Sequence, residues 1–243
     1  MQILIIRHGD PNYEIDSLTE KGWKEAELLA DRISKLEVKD FYVSPLGRAK
    51  DTASLTLKKM NREAEELPWL QEFFRANIAR PDVEGRAIAW DWLPQDWTKE
   101  AAYYDVKQWC KTSIMQDSDV EKEYRWVAEG LDEILAKHGY VREGNYYRVE
   151  KPNTDRIVLF CHFGVESVML SHLLGVSPMI MWHGFCAAPT SVTTINTEER
   201  REGIASFRVS SYGDVSHLYV ADEEPAFSAR FCETYGNQEE RHD

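Results

Sequence analysis

The chain has 243 residues, 43% hydrophobic and 29% charged, which is enough apolar material for a proper core and argues against a disordered or fibrous protein. A formal net charge of −13 creates a field that repels nucleic acid and anionic membranes, so neither is an expected partner. No run of about 18 apolar residues occurs, and the start lacks a basic stretch followed by an apolar one. A membrane span and a secretory leader are therefore not expected, and the protein reads as cytoplasmic.

In chain order, Ile3–Ile6 is an apolar run too short for a helix and of the kind that makes a buried parallel strand. Arg7, His8 and Gly9 follow at its carboxyl end, where open α/β sheets bind ligands. Residues 11–17 read as a polar loop. Thr19 can cap a helix whose apolar face is Ala26, Leu29, Ala30, Ile33 and Leu36. Gly22 weakens the first turn of that helix, which implies close approach of a neighbour or ligand. Phe41–Val43 reads as a strand, and Ser44-Pro45 as a helix start with Ser as cap and Pro in the first turn. Arg48 falls in that first turn, where a cation opposes the helix dipole unless an anion binds there. Residues 63–67 make a weak strand candidate, followed by Pro68-Trp69-Leu70-Gln71-Glu72.

Between about residues 73 and 153 the character changes. Five of the eight tryptophans and six of the eleven tyrosines lie there, without a clear strand. The segment reads as a largely helical insertion whose last helix spans 120–138 and stops at Gly139. Its aromatic part, Trp90–Trp109, is expected to roof a site, with Tyr103, Tyr104, Lys99 and Lys107 available to a ligand. The core resumes at Ile157–Phe160, an apolar run ending in Cys161-His162-Phe163-Gly164. A helix over 164–174, a short helix at Pro178, and strands over 191–195 and 205–210 joined by a charged turn complete it. Residues 222–243 read as an acidic, loosely held tail. The four cysteines, Cys110, Cys161, Cys186 and Cys232, have no zinc-ligand spacing and read as free thiols. Two strands that each end in a histidine and a glycine suggest two imidazoles facing one site.

Taken in order, Arg7-His8-Gly9, Leu18-Thr19-Glu20-Lys21-Gly22, Ser44-Pro45-Leu46-Gly47-Arg48-Ala49 with Thr52-Ala53, Leu70-Gln71-Glu72 and Cys161-His162-Phe163-Gly164 resemble the histidine phosphatase superfamily, in its phosphoglycerate-mutase-like branch. The motifs cover about 1–75 and 155–212. The resemblance implies an α/β fold, a three-layer α/β/α sandwich around a mixed, mostly parallel sheet, with an inserted mainly helical cap at about 73–153 in a single domain. It implies that His8 is a phosphoryl-accepting nucleophile, that Arg7, Arg48 and His162 bind the phosphoryl group, and that Glu72 is general acid and then general base. Asp10 is the alternative carboxylate. The chemistry is consistent: neutral imidazole is a nucleophile near pH 7, and forked guanidinium donors match phosphate oxygens.

The sequence departs from the family pattern in three places. Glu14 stands where many members have Asn, Phe163 replaces a small residue after the second histidine, and Phe73-Phe74-Arg75 follows Glu72 where the cofactor-dependent mutases have a Glu-Arg-x-Tyr-Gly run. The last difference favours a phosphatase of a small phosphorylated metabolite, with no metal and no cofactor. A phosphomutase, a catalytically idle phospho-ligand binder, and a metallohydrolase using His8, Asp10, Glu72 and His162 are the alternatives. The oligomeric state stays open, a homo-oligomer included.

Overall fold

The computed structural model describes residues 1–228, 234 and 236. The chain opens with β1 (Gln2–Arg7), the paired short strands β2 (Pro11–Asn12) and β3 (Ser17–Leu18), α1 (Glu20–Ile33), β4 (Asp40–Val43), α2 (Gly47–Met60) and β5 (Glu65–Glu66). A long segment carries the short helices α3 (Pro94–Trp97) and α4 (Ser113–Gln116), then α5 (Val120–Lys137) and the hairpin β6 (Tyr140–Glu143) and β7 (Tyr146–Val149). There follow β8 (Arg156–Cys161), α6 (Phe163–Leu174), α7 (Pro178–Gly184), β9 (Val192–Arg201), β10 (Ile204–Asp214) and α8 (Ser216–Tyr219).

Eight strands form one mixed sheet in the order β5-β4-β8-β1-β9-β10-β7-β6. The first four run parallel, and every pairing from β1 outward to β6 is antiparallel. The expected mixed sheet is present, but its mostly parallel character is confined to the half around β1 and β8. The other half is built from two hairpins, β9–β10 and β6–β7, each antiparallel within itself, and they dock antiparallel on β1 and on each other.

Side-chain alternation along β1 and β8 decides the layers. Ile3 and Ile5 of β1, with Ile157 and Leu159 of β8, pack with α5, α6, α7 and the aromatic segment. Leu4 and Ile6, with Val158 and Phe160, pack with Leu29 and Ile33 of α1 and with Ala53 of α2. Both strands are buried on both faces, which is why they read as continuous apolar runs. Among the described residues no helix is long and apolar enough to cross a membrane.

Several expected elements come out differently. The polar loop at 11–17 contains β2 and β3, and the weak candidate at 63–67 yields β5, paired parallel with β4. The insertion is not free of strands, since β6–β7 extends the main sheet through β10. The charged turn at 198–203 is mostly strand, because β9 runs to Arg201 and β10 starts at Ile204, which leaves the turn itself to Glu202 and Gly203. The acidic segment after 222 is tied down at its start: Glu223 pairs with Lys21 and Lys24, and the Ala226 N–H donates to Glu25 Oε1 at 2.7 Å. The rest of that tail, and Cys232, lie outside the described residues. Cys110 and Cys161 are buried free thiols, and Cys186 is partly buried.

Candidate active site

Register brings the two histidine motifs together. Arg7 pairs with Cys161 and Val43 with Phe160, so β1, β8 and β4 end level. The next residue of each strand then falls at one place. The His8 N–H donates to the Cys161 carbonyl at 3.0 Å and the Ser44 N–H to the Phe160 carbonyl at 2.9 Å. The rings of His8 and His162 lie 5.0 Å apart, centre to centre. Both are buried, His8 2% and His162 0% exposed.

His8 Nδ1 lies 2.7 Å from the Gly9 carbonyl oxygen. A carbonyl can only accept, so the proton sits on Nδ1 and Nε2 keeps its lone pair. Burial first, and then Arg7 and Arg48, hold the imidazole well below its ordinary pKa, with the Gly9 bond pulling the other way. His8 is therefore a neutral imidazole with a bare Nε2. His162 is held low in the same way, by burial and then by His8, Arg48 and Arg7.

The loop after β1 is locked by glycines. A side chain on Gly9 would meet the Gly22 carbonyl oxygen at 2.8 Å, and one on Gly22 would overlap the Asp10 backbone. That contact is the close approach implied by a glycine in a helix's first turn. Thr19 caps α1 as expected, accepting from the Gly22 N–H at 3.0 Å. Thr19 Oγ1 also donates to Asp10 Oδ2 at 2.7 Å, which turns the Asp10 carboxylate to the helix cap.

Ser44 does not cap α2; Leu46 is the N-cap residue. The Ser44 hydroxyl instead accepts from the Leu46 N–H at 3.2 Å and lies 2.7 Å from His162 Nε2. The Ser44 hydroxyl can give its proton to Nε2, and the proton of neutral His162 then lies on Nδ1. That buried Nδ1 has no partner among the described residues, so it is the ring nitrogen left for a ligand. Arg48 does lie in the first turn of α2, 9% exposed, with its Nη1 on Asp16 Oδ1 at 2.5 Å. Asp16 Oδ2 accepts from the Gly47 N–H at 2.7 Å, and the Tyr13 ring centre lies 5.4 Å from the Arg48 guanidinium. The acid that reaches Arg48 is thus Asp16, whereas Glu14 is exposed. Arg7 is 1% exposed and donates to the carbonyls of Ala187 and Ser228, the latter at 3.1 Å.

Glu72 follows a single 3-10 turn at Pro68–Leu70. Its Oε1 accepts from the N–H of Phe73 at 2.7 Å and from that of Val165, in the first turn of α6, at 3.1 Å. Burial raises the Glu72 carboxyl above its ordinary range in spite of those bonds and of Arg48 and Arg7. Gly164 makes the approach possible: a side chain there would stand 2.6 Å from Glu72 Oε1 and 2.8 Å from Trp90 Nε1. Trp90 donates to the Phe73 carbonyl at 2.8 Å, and Arg80 holds the Trp90 and Asp91 carbonyls from behind.

Within the insertion, Trp92, Trp97, Tyr103 and Trp109 are buried. They pack on one another and on α7, as in the 4.9 Å stack of Trp97 on His183. Tyr103, expected to be open to a ligand, is 1% exposed and takes a hydrogen bond from Thr112. Its ring is core because α7 docks on it through Ser177, whose hydroxyl donates to the Tyr103 carbonyl at 2.5 Å.

The five expected site residues thus lie around one sheet end: two neutral imidazoles, two nearly buried guanidinium groups and a carboxyl of raised pKa. Among the described residues there is no group of three or more His, Cys, Asp or Glu side chains placed to hold a metal ion. The sequence reading missed the roles of Ser44, Asp16, Trp90 and Gly164. Each depends on a partner distant in the chain, and Ser44 in particular carries a stronger local signal as a helix cap.

A sequence model described as histidine phosphatase superfamily (branch 1) matches residues 3–210. The chain belongs to this superfamily. Among its relatives, a 2,3-bisphosphoglycerate-dependent phosphoglycerate mutase from Thermoplasma acidophilum is 33% identical over 70 residues. That match covers 25% of this chain and only 35% of the mutase's length. A phosphoserine phosphatase from Entamoeba histolytica has a similar structure, with a TM-score of 0.57 and 18% identity over 89% of this chain and 98% of its own. A mycobacterial glucosyl-3-phosphoglycerate phosphatase has a TM-score of 0.57 and 16% identity over 87% of this chain and 98% of its own. An α-ribazole phosphatase from Shigella flexneri has a TM-score of 0.53 and 21% identity, over 88% and 97% of the two chains. At these identities the structural likeness speaks for the superfamily fold, a mixed sheet flanked by helices.

Proposed function

We propose that this histidine phosphatase superfamily member is a metal-independent phosphomonoesterase acting on a small phosphorylated metabolite through a phosphohistidine at His8. The single observation that carries the reading is the state of His8: neutral, with its proton fixed on Nδ1 by the Gly9 carbonyl, Nε2 unprotonated, and the charges of Arg7 and Arg48 both acting on the ring. Nε2 attacks phosphorus, the ester P–O bond breaks, and Glu72 gives its proton to the leaving alkoxide. Water then attacks the phosphohistidine, Glu72 takes the water's proton, the P–N bond breaks and phosphate leaves. Arg7, Arg48 and the Nδ1–H of His162 carry the charge of the phosphoryl oxygens through both steps. Arg48 leaves Asp16 for the anion, and Asp16 stays on the Gly47 N–H.

The test is to trap the adduct. A rapidly quenched reaction should hold one acid-labile, base-stable phosphoryl group per chain on His8, and His8→Ala should abolish both adduct and turnover. Glu72→Gln should lose roughly 10²–10⁴-fold on esters with poor leaving groups. It should still phosphorylate His8 from a nitrophenyl ester and accumulate the adduct. Full turnover in His8→Ala would overturn the mechanism. The mutase segment match supports a second reading, transfer of the phosphoryl group to an organic acceptor. A product screen including phosphoserine, glucosyl-3-phosphoglycerate and α-ribazole phosphate separates the two, since a mutase releases isomers where a phosphatase releases inorganic phosphate.

A further inference from the structure

Glu72 is bound to the protein through one oxygen only. Its Oε1 accepts both the Phe73 N–H at 2.7 Å and the Val165 N–H at 3.1 Å. An oxygen that already holds two donors is a poor place for a further proton, so the proton that the acid gives is carried by Oε2. The direction of Oε2 then depends on the Phe73 backbone, and that backbone is held from the insertion. The Trp90 indole N–H donates to the Phe73 carbonyl at 2.8 Å. The Phe73 ring is 1% exposed and lies 5.2 Å from the Trp182 ring, centre to centre. Phe73 is thus fixed at both its ring and its carbonyl, which keeps its N–H turned to Oε1.

Trp90 is itself held on both sides along the chain. Arg80 Nη1 donates to the Trp90 carbonyl at 2.7 Å and Nη2 to the Asp91 carbonyl, while the same guanidinium pairs with the nearly buried Asp82. Asp91 takes a φ of 68°, uncommon for a residue with a side chain. Beyond it the Trp92 N–H donates to His183 Nε2 of α7 at 3.0 Å. The indole meets the Phe163 ring edge-on at 5.9 Å. A side chain at Gly164 would meet both Glu72 Oε1 and Trp90 Nε1, so acid and indole share one edge of α6.

We propose that Trp90 is a positioning residue for Glu72, holding Phe73 so that Oε1 stays on backbone donors and Oε2 presents the proton. The proposal rests on reading Glu72 as the general acid. A misplacement of about 1 Å can cost on the order of 10²-fold in rate. The loss should fall on esters whose leaving group needs the proton.

The test removes the N–H and keeps the ring. β-(3-Benzothienyl)alanine in place of Trp90 puts sulfur where the N–H stands, with a bicyclic ring of nearly the same size. On phenyl phosphate, the ester with the poorer leaving group, kcat should fall by about 10- to 10²-fold with KM unchanged. His8 phosphorylation from nitrophenyl phosphate in a single turnover should run as in the wild type. Trp90→Phe, a second variant that keeps an aromatic ring, should give the same split between the two esters. In a Glu72→Gln background the benzothienyl replacement should cost nothing further, because no proton is left to aim. Wild-type kcat on phenyl phosphate in the benzothienyl variant, an equal loss on both esters, or an additive loss in Glu72→Gln would overturn the role of Trp90. Glu72→Gln that loses nothing on phenyl phosphate would instead overturn the acid reading beneath it.

Discussion

At the scale of single residues, burial decides protonation more than nearby charge does. Glu72 sits among arginines yet titrates above its ordinary range, because loss of solvent is the larger influence on it. Glu166, buried in the first turn of α6, shows the same effect in a form that stability can report. The unfolded chain gives up this proton near pH 4.5, whereas the folded chain keeps it to about pH 7. Between those values the folded state binds more protons, so raising the pH costs folding stability, and the loss is complete above pH 7. The full effect is on the order of 3 kcal/mol. Glu166→Gln has no such proton, so its stability relative to wild type should improve from pH 5 to pH 8. Chemical denaturation at both pH values checks this, and an equal difference at both would contradict it. Gly164 is a second residue whose identity matters out of proportion to its size. Gly164→Ala places a methyl 2.6 Å from Glu72 Oε1 and should displace the acid, costing roughly 10²-fold in rate on poor leaving groups with the fold intact. A circular dichroism spectrum and a two-substrate assay on the purified variant test it.

At the scale of elements, the site is a product of strand register and of two tight contacts between backbones. A slip of one residue between β1 and β8 would send His8 and His162 to different levels, and the alternation of Ile3, Leu4, Ile5 and Ile6 between two cores forbids that slip. The start of α1 is pressed against the loop after β1 at Gly22. Alanine is the better helix former by about 1 kcal/mol, but its methyl would overlap the Asp10 carbonyl oxygen, which is backbone and cannot turn aside. Gly22→Ala should therefore destabilise the protein by about 1–3 kcal/mol, read from the midpoint of urea unfolding. A raised midpoint would mean that helix propensity outweighs the contact. The aromatic insertion follows the same logic in reverse. Its rings are mostly internal packing against α7, and Trp90, held through Arg80 and Phe73, is the one placed against the acid.

At the scale of the whole molecule, an acidic protein holds a cationic pocket. The net charge of −13 is spread over a surface bathed in solvent and is screened within about 8–10 Å at physiological salt. Arg7 and Arg48 are nearly buried, where charge acts at higher strength. In the proposed mechanism these guanidinium groups supply the positive charge that a metal ion would otherwise provide. Dialysis against a strong chelator should consequently leave the phosphatase rate unchanged, and a loss restored by zinc, manganese or magnesium would refute the arginine-pocket account.

The chain itself announced the buried strand at Ile3–Ile6, its partner at Ile157–Phe160, the capped helix from Thr19 and the candidate residues Arg7, His8, Arg48 and His162, while Glu72 was picked out by the resemblance of the ordered motifs to the superfamily. Those signals are local, because apolar runs, caps and residue order are written in neighbouring positions. Which sides of the sheet run antiparallel was not legible, since β6–β7 and β9–β10 join it by pairing across more than fifty residues. The same holds for Ser44, which local rules assign to a helix cap and tertiary register assigns to His162. Asp16 on Arg48 and the buried Glu166 of α6 belong to this second group. An acid's burial, its partner and its proton depend on what the fold brings against it, and no spacing along the chain encodes that.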